Sequence, residues 1–313
     1  MDNFSFFPAE ASTMASRIDS LYFTLVGLSI FFAITIAVFV VFFGIRYRKS
    51  TQVDRSNVLH ESMALEFGWS FIPFLLAMGI FGWSAMLYFD INTPPKDALE
   101  IYVIGKQWMW QIQHPVGKSE INELHVPVNQ NIKLIMTSQD VIHSFYVPAF
   151  RLKQDVLPGR YTTLWFEATQ TGEYHLFCAE YCGTDHSQMI GKVVVMEPQE
   201  YQKWLTGSAV AAGSESMADA GKRLFTENGC VSCHVAGGGG IGPSLVGVYG
   251  SKVKLDTGET VTVDDAYIRE SILNPAAKVV IGYKPVMSPY QGIVSEGNIL
   301  QLVAYIKSLN SGQ

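Results

Sequence analysis

Positions 178 to 189 read Cys178-Ala-Glu180-Tyr-Cys182-Gly-Thr-Asp-His186-Ser-Gln-Met189, so two thiols, an imidazole and a thioether fall within twelve residues. His143 stands upstream, in Asp140-Val-Ile-His143-Ser-Phe145. Thiolate, imidazole and thioether are the soft-to-borderline donors that select copper over magnesium or calcium. A blue-copper centre uses one thiolate, so two of them point to a pair of metals sharing bridging sulfurs. Two other readings fit the same residues. A cysteine pair in an oxidising compartment is usually a disulfide. A Cys2His2 set also suits tetrahedral zinc.

The second cysteine pair is independent of the first. Cys230-Val-Ser-Cys233-His234 is the pattern of covalent haem attachment, in which the thiols add to the haem vinyl groups and the adjacent imidazole becomes an axial ligand. A zinc half-site has the same spacing. A Met as second axial ligand raises the reduction potential. Met287, in Gly282-Tyr-Lys-Pro-Val-Met287-Ser-Pro-Tyr290, is the candidate. Met217 is a weaker one, because it lies in a stretch of small residues.

With Glu180 between its cysteines, the first motif resembles the binuclear copper (CuA) site of cytochrome c oxidase subunit II. The second, followed by Gly242-Pro243-Ser-Leu and then Met287, resembles a class I cytochrome c. Taken together, the chain resembles subunit II of the caa-type haem-copper oxidases, in which a cytochrome c is fused to the copper subunit. The resemblance implies copper ligands His143, Cys178, Cys182, His186, Met189 and the backbone carbonyl of Glu180. It implies covalent haem c on Cys230 and Cys233 with axial His234 and Met287, and a Pro243 carbonyl that receives the axial imidazole N–H. Such a bond fixes the ring's tautomer and orientation. All four cysteines are then used by cofactors, and no disulfide remains.

The resemblance implies further roles. Gln107-Trp108-Met109-Trp110 matches an aromatic motif with Met109 where the family usually has Tyr, and it gives Trp108 the role of electron entry. The Glu180 carboxylate reaches a magnesium ion at the boundary with the large subunit. Glu66 stands at the mouth of a proton pathway, where an ionisable group at a membrane edge is a functional candidate in its own right. Asp155 and Arg160 lie in a loop facing the partner subunit. His60, His114, His125 and His175 match no ligand position and read as structural or solvated.

Other elements must position these residues. A chain of 313 residues is long enough for an anchor and two domains. The net charge of −6, with no Lys/Arg-rich run, argues against a nucleic-acid partner. Residues 21–43 carry no charge and are long enough to span a lipid bilayer as a helix. Residues 69–89 form a second span and contain Pro73, which a membrane helix tolerates. Arg46, Arg48, Lys49 and Arg55 in the short loop between them mark the cytoplasmic side. Both termini and both metal domains are therefore expected on the outer, periplasmic side of a bacterial cytoplasmic membrane. Asp2, Glu10, Arg17 and Asp19 leave no basic leader region, so no cleaved signal peptide is expected.

Beyond the spans, β-branched and aromatic runs begin at Ile101, Ile132, Tyr161 and Lys192, with Gly-containing turns between them. They predict a β-sandwich or barrel, and the resemblance makes it a cupredoxin whose ligands sit on loops. Residues 208–216 read as a linker by composition, with a reach of roughly 16–19 Å if flexible; a helical extension is the alternative that the alanines permit. Residues 218–225, 264–273 and 295–307 read as helices, with Asp264 and Ser295 as N-caps. The expected fold is therefore multi-domain. It comprises a two-helix transmembrane hairpin in residues 1–97, an all-β cupredoxin in 98–198, a linker in 199–216 and an all-α cytochrome c domain in 217–313.

The function this implies is electron conduction. An external donor, a cytochrome c or a quinol-oxidising complex, reduces haem c. The electron passes to CuA and on to catalytic subunit I, alongside other oxidase subunits, for oxygen reduction coupled to proton translocation. The chain carries no oxygen-reducing site of its own. Two alternatives are the input subunit of a CuA-bearing nitric oxide reductase and a stand-alone membrane-anchored electron carrier or copper-binding assembly protein.

Overall fold

The computed structural model of the chain describes residues 7–53, 61–212 and 215–310. Asp2, Arg55, His60 and residues 213–214 lie outside the described residues. The chain divides into two compact units, Thr13–Thr93 on one side and Met1–Ser12 with Pro94–Gln313 on the other.

The first unit is a pair of helices, α1 (Ala15–Arg46) and α2 (Met63–Asn92). Both are long and apolar enough to cross a membrane, and little of either is buried by protein. Their 32 and 30 residues correspond to roughly 45–48 Å, more than a bilayer's hydrocarbon thickness. Each extends beyond the uncharged core read from the sequence. The Ser62 hydroxyl caps α2 by accepting from the Leu65 amide, and Pro73 is held inside the helix. Glu66 lies in its first turn, exposed.

The second unit opens with a β-sandwich. One sheet runs β3 (Ser119–Ile121), β2 (Met109–Gln113), β1 (Leu99–Lys106), β5 (Asn131–Ser138), β8 (Thr162–Glu167). The other runs β4 (Glu123–Pro127), β10 (Ile190–Met196), β9 (Gly172–Cys178), β6 (His143–Val147), β7 (Leu152–Val156). Between them lies an apolar core that includes Ile101, Val103, Trp110, Leu124, Leu134, Phe145, Phe166 and Leu176. Residues 7–12 lie on this sandwich, with the Ala11 amide donating to the Ala149 carbonyl at 3.0 Å.

Alternation is complete in β1. Ile101 and Val103 enter the sandwich core, while Tyr102 and Ile104 point out of the opposite face. That outer face is also buried. Tyr102, Ile104 and Ile135 of the sheet meet Met217 and Leu300, with Tyr161 and Ala304 at the margin.

The covering residues belong to a helical domain built from α4 (Met217–Glu227), α5 (Asp265–Leu273) and α6 (Glu296–Ser308). Side-chain oxygens of Ser216, Asp264 and Ser295 accept from Asp219, Tyr267 and Asn298 amides, so the two expected caps are present and a third joins them. Helices α4 and α6 cross closely at Gly221, where a Cβ would meet the Gln301 carbonyl oxygen at 1.9 Å. A short hairpin of β11 (Lys252–Lys254) and β12 (Thr260–Thr262) completes the domain.

The stretch read as a linker is largely helix. Helix α3 runs Pro198–Ala212, the alternative that its alanines allowed. Its start is fixed by a polar knot. Glu120 takes Nε2–H of His114 at 2.8 Å and a short bond from Nδ1 of His125. His114 Nδ1 is 3.2 Å from the Tyr201 hydroxyl, and Trp204 stacks on His125 with ring centroids 4.3 Å apart. His114 and His125 are thus structural, as expected, whereas His175 is exposed.

Burial alone would raise the Glu120 pKa, but its bonds to His114 and His125 outweigh this and bring it to about 2. A depressed carboxylate pKa contributes stability above the ordinary 4.5, and that contribution is lost as pH falls from there toward about 2. Glu120→Gln should therefore destabilise the sandwich at pH 7 by on the order of 2–3 kcal/mol. The difference from the wild type should shrink below pH 4. Denaturant titrations followed by Trp204 fluorescence check both; equal stability at pH 7 contradicts the assignment.

Candidate metal centres

Strands β6 and β9 pair antiparallel, with Phe145 opposite Cys178. This brings the first residue of β6, His143, beside the last residue of β9. The expectation that the ligands sit on loops is thus corrected for His143 and Cys178, which are strand ends. Cys182, His186 and Met189 lie on the β9–β10 connection.

The five side chains converge. His143 Nδ1 is 3.9 Å from Cys178 Sγ, and the two Sγ atoms are 3.8 Å apart. Cys182 Sγ is 3.4 Å from His186 Nδ1 and 3.8 Å from Met189 Sδ. The Glu180 carbonyl oxygen is 3.3 Å from Cys178 Sγ. The cysteines are free, and 3.8 Å is far beyond a sulfur–sulfur bond. Two sulfurs at the centre, one imidazole beyond each, and a thioether and a carbonyl at the flanks make a donor set for two soft-to-borderline cations. His143, Cys178 and Cys182 are all buried, with donor atoms close enough to share one ion.

Burial opposes ionisation of both thiols. At Cys178 the neighbouring His143 imidazole and backbone N–H groups overcome it, and the pKa falls to about 6. At Cys182 burial is reinforced by the charge of Cys178, and the pKa rises to about 12. The second thiolate therefore needs a compensating positive charge, which a pair of bound cations supplies.

Residues that the sequence reading did not single out hold this set. Asp140 Oδ1 is 2.8 Å from His143 Nε2, which directs Nδ1 toward the sulfurs. Asp140 Oδ2 accepts from the Gln107 amide at 2.7 Å, and Gln107 Nε2 donates to the Cys182 carbonyl at 2.7 Å. An aspartate three residues before a ligand histidine was the available signal. Trp110 is fully buried and meets His143 edge-on. Trp108 is half-buried against Gly183, next to Cys182. Asp155 accepts from Ser144 Oγ at 2.8 Å. Glu180 is exposed and belongs to no cluster of three or more metal-binding side chains among the described residues, so the magnesium expectation gains no support.

In the helical domain, Cys230, Cys233, His234, Pro243 and Met287 line one apolar cavity with Phe225, Leu302 and Ile306. His234 Nδ1 is 2.8 Å from the Pro243 carbonyl, so Nδ1–H donates there and Nε2 is left for a ligand. Gly242 lies flat on that ring, where a Cβ would come within 2.9 Å of Cε1. The cavity's apolar walls and its pair of free thiols fit a covalently attached haem. Met217 does not line it. That residue is 2% exposed and packs on Tyr102 and Ile104, which removes it as the alternative ligand.

Residues 117–197 match the family model described as cytochrome c oxidase subunit II, periplasmic domain, and residues 218–310 match cytochrome c. The chain is 30% identical over 295 residues to cytochrome c oxidase subunit 2 of Alkalihalophilus pseudofirmus, covering 88% of this chain and 83% of that one. It belongs to the cytochrome c oxidase subunit II family. It is a membrane-anchored subunit II with a fused cytochrome c domain, an electron-transfer subunit of a haem-copper oxidase complex. The subunit 2 of Synechocystis is 40% identical over a shorter stretch of 129 residues, 41% of this chain and 39% of that one. A crystal structure of the periplasmic domain of subunit II from Bradyrhizobium japonicum is 38% identical, covering 36% of this chain and 94% of that one, with a TM-score of 0.35. The copper-bearing domain implies CuA, and the cytochrome domain implies haem c.

Asp140→Ala should weaken copper binding about 10–100-fold, the usual cost of losing a carboxylate behind a ligand imidazole. Asp140→Asn, which keeps an acceptor, should cost less. Chelator competition measures both; unchanged affinity in Asp140→Ala contradicts the role.

Proposed function

We propose that the chain relays electrons one at a time from an external donor, through the cytochrome domain and then the copper domain, to catalytic subunit I. The observation that carries this is the unbroken run of donor atoms from His143 through Cys178 and Cys182 to His186 and Met189. His143, Cys178, Glu180, Cys182, His186 and Met189 are the residues to hold two coppers. Cys230, Cys233, His234 and Met287 are those to hold haem c, with Pro243 fixing the His234 ring. When bound, these groups supply one-electron redox chemistry. The protein's part is to keep the ligands in one arrangement in both redox states, which lowers the cost of reorganisation at each transfer. The half-buried Asp140–His143 and His234–Pro243 bonds do this.

Both metal domains follow α2, so both lie on the same side of the membrane. The cationic loop between the spans assigns the opposite, cytoplasmic side to itself. Domain limits of 98–198 and 217–313 belong to the same proposal, with α3 as the connection between them.

In the full chain purified with its partner subunits, Cys178→Ser or Cys182→Ser should abolish the binuclear copper signal and leave the haem spectrum intact. Met287→Ala should lower the haem potential and leave the copper signal intact. A binuclear signal surviving both serine exchanges, or an unchanged potential, overturns the corresponding assignment.

Two further roles belong to this reading. Exposed Glu66, at the start of α2, is positioned to collect protons for the large subunit. Trp108, beside the Cys182 loop, is an entry point for donors docking there. Glu66→Gln should slow oxygen turnover with both metal spectra unchanged. Trp108→Phe should slow copper reduction by an added soluble donor, again with unchanged spectra. Wild-type rates return each residue to a structural role.

A further inference from the structure

The outer face of β1 and β5 is apolar where a sandwich facing water would be polar. Tyr102, Ile104 and Ile135 are 3%, 2% and 1% exposed because the cytochrome domain covers them. From that domain Leu300 is fully buried and Met217 is 2% exposed. Gly297 on α6 faces the same residue: a Cβ there would lie 3.8 Å from Ile104 Cδ1.

The rim of this contact is charged and paired. Lys307 of α6 donates to Glu100 of β1 at 2.8 Å and reaches Asp265 of its own domain at 2.8 Å. Glu100 also accepts from Lys133 at 2.9 Å. Arg269 pairs with Glu296 within its domain and donates to the Gly159 carbonyl of the copper domain at 2.6 Å. The connection is seated too. The Met217 amide donates to the Pro115 carbonyl at 3.2 Å, and Gly117 packs so tightly on Glu215 that a Cβ would lie 2.1 Å from its carbonyl oxygen.

Helix α6 therefore has two occupied faces. Leu302 and Ile306 line the haem cavity, while Leu300, Ala304 and Lys307 face the copper domain. Across the interface, Ile104 is followed in β1 by Gly105, whose backbone lies on the His143 ring; a Cβ there would be 2.9 Å from Cδ2. One helix and one strand thus separate the cavity from a copper-site imidazole by continuous packing.

We propose that α6 and β1 form a fixed internal interface, on which the cytochrome domain stays clamped while electrons cross between the domains, and that the domain does not swing on its connection. This rests on the electron-relay reading above and adds the surface and the residues that perform it. Lys307, Leu300, Ile104 and Ile135 are positioning residues. The rim of the cavity, with Ile241 and Val286 exposed, remains open to the external donor.

A zero-length carbodiimide cross-link on the full-length chain in detergent tests the placement without reference to either cofactor. Mass spectrometry should recover Lys307–Glu100 across the interface together with the internal controls Lys307–Asp265 and Lys133–Glu100. Ile135→Glu on the copper domain, or Leu300→Glu on α6, should lower the crossing product at least tenfold relative to Lys307–Asp265. Recovery of the two controls without Lys307–Glu100, or an unchanged ratio in both variants, overturns the proposal. An independent measurement is the haem-to-copper transfer rate as solvent viscosity is raised several-fold. The rate should stay constant in the wild type and become viscosity-dependent in Ile135→Glu. A wild-type rate falling in proportion to viscosity overturns the proposal even where the cross-links form. Loss of copper or haem spectra in the unmodified chain would instead count against the relay reading and leave the cross-links interpretable.

Discussion

Two thiols 3.8 Å apart, both buried and both required as anions, constrain the rest of the copper domain. Burial opposes ionisation of Cys182, and the charge of Cys178 adds to it. The pair persists only where a rigid frame holds both sulfurs and leaves room for cations to neutralise them. The frame is the pairing of β6 with β9, which sets His143 against Cys178, and the bond from the Cys178 amide to the Met189 carbonyl at 3.1 Å, which closes the ligand loop. Gln107 reaches into this loop from the other sheet, so the two halves of the sandwich hold one site. A ligand set carried by one sheet and braced from the other moves little when its charge changes, and a one-electron carrier needs that.

The same economy governs the second domain. A small apolar cavity needs its axial imidazole aimed before a cofactor arrives, and the Pro243 carbonyl and the backbone of Gly242 fix that ring from two sides. Helix α6 supplies part of the cavity wall with one face and the contact with the copper domain with the other. A substitution on its outer face therefore acts on the distance between centres, and one on its inner face acts on the haem pocket. The helix couples the geometry of transfer to the folding of the domain that carries the donor.

Much of this was legible in the sequence because ligand chemistry restricts residue type more tightly than packing does. Both motifs, the two spans, the three helices of the cytochrome domain and the Asp264 and Ser295 caps were readable. The strands that carry ligands were not. β6 (His143–Val147) is short, and β9 (Gly172–Cys178) alternates polar with apolar residues too weakly to stand out. Residues 208–212 read as a linker because small residues serve helices and loops alike, and the helix is decided by tertiary contacts upstream at Tyr201 and Trp204. Gln107 was invisible as a site residue and Asp140 was marked only by its spacing from His143, because a polar side chain behind a ligand differs from a solvated one mainly by its neighbours in space.

One signal for the interface was present in the sequence without being read as such. Ile101-Tyr-Val-Ile is an unbroken apolar run, and a strand with one wet face alternates instead. An unbroken run therefore requires a cover on both sides. Inside the sandwich the cover is the opposite sheet. Outside it, the cover comes from residues some two hundred positions later, Leu300 and Ala304. A domain that spent much of its time detached would leave Tyr102, Ile104 and Ile135 in water, at a cost of about 25 cal/mol for each Å² of apolar surface re-exposed. Glu100 and Lys307 would each also give up a partner, although that loss is small once water takes the partner's place. The apolar term outweighs the ionic one, so hydrophobic burial holds the domains together and the charges at the rim set their register.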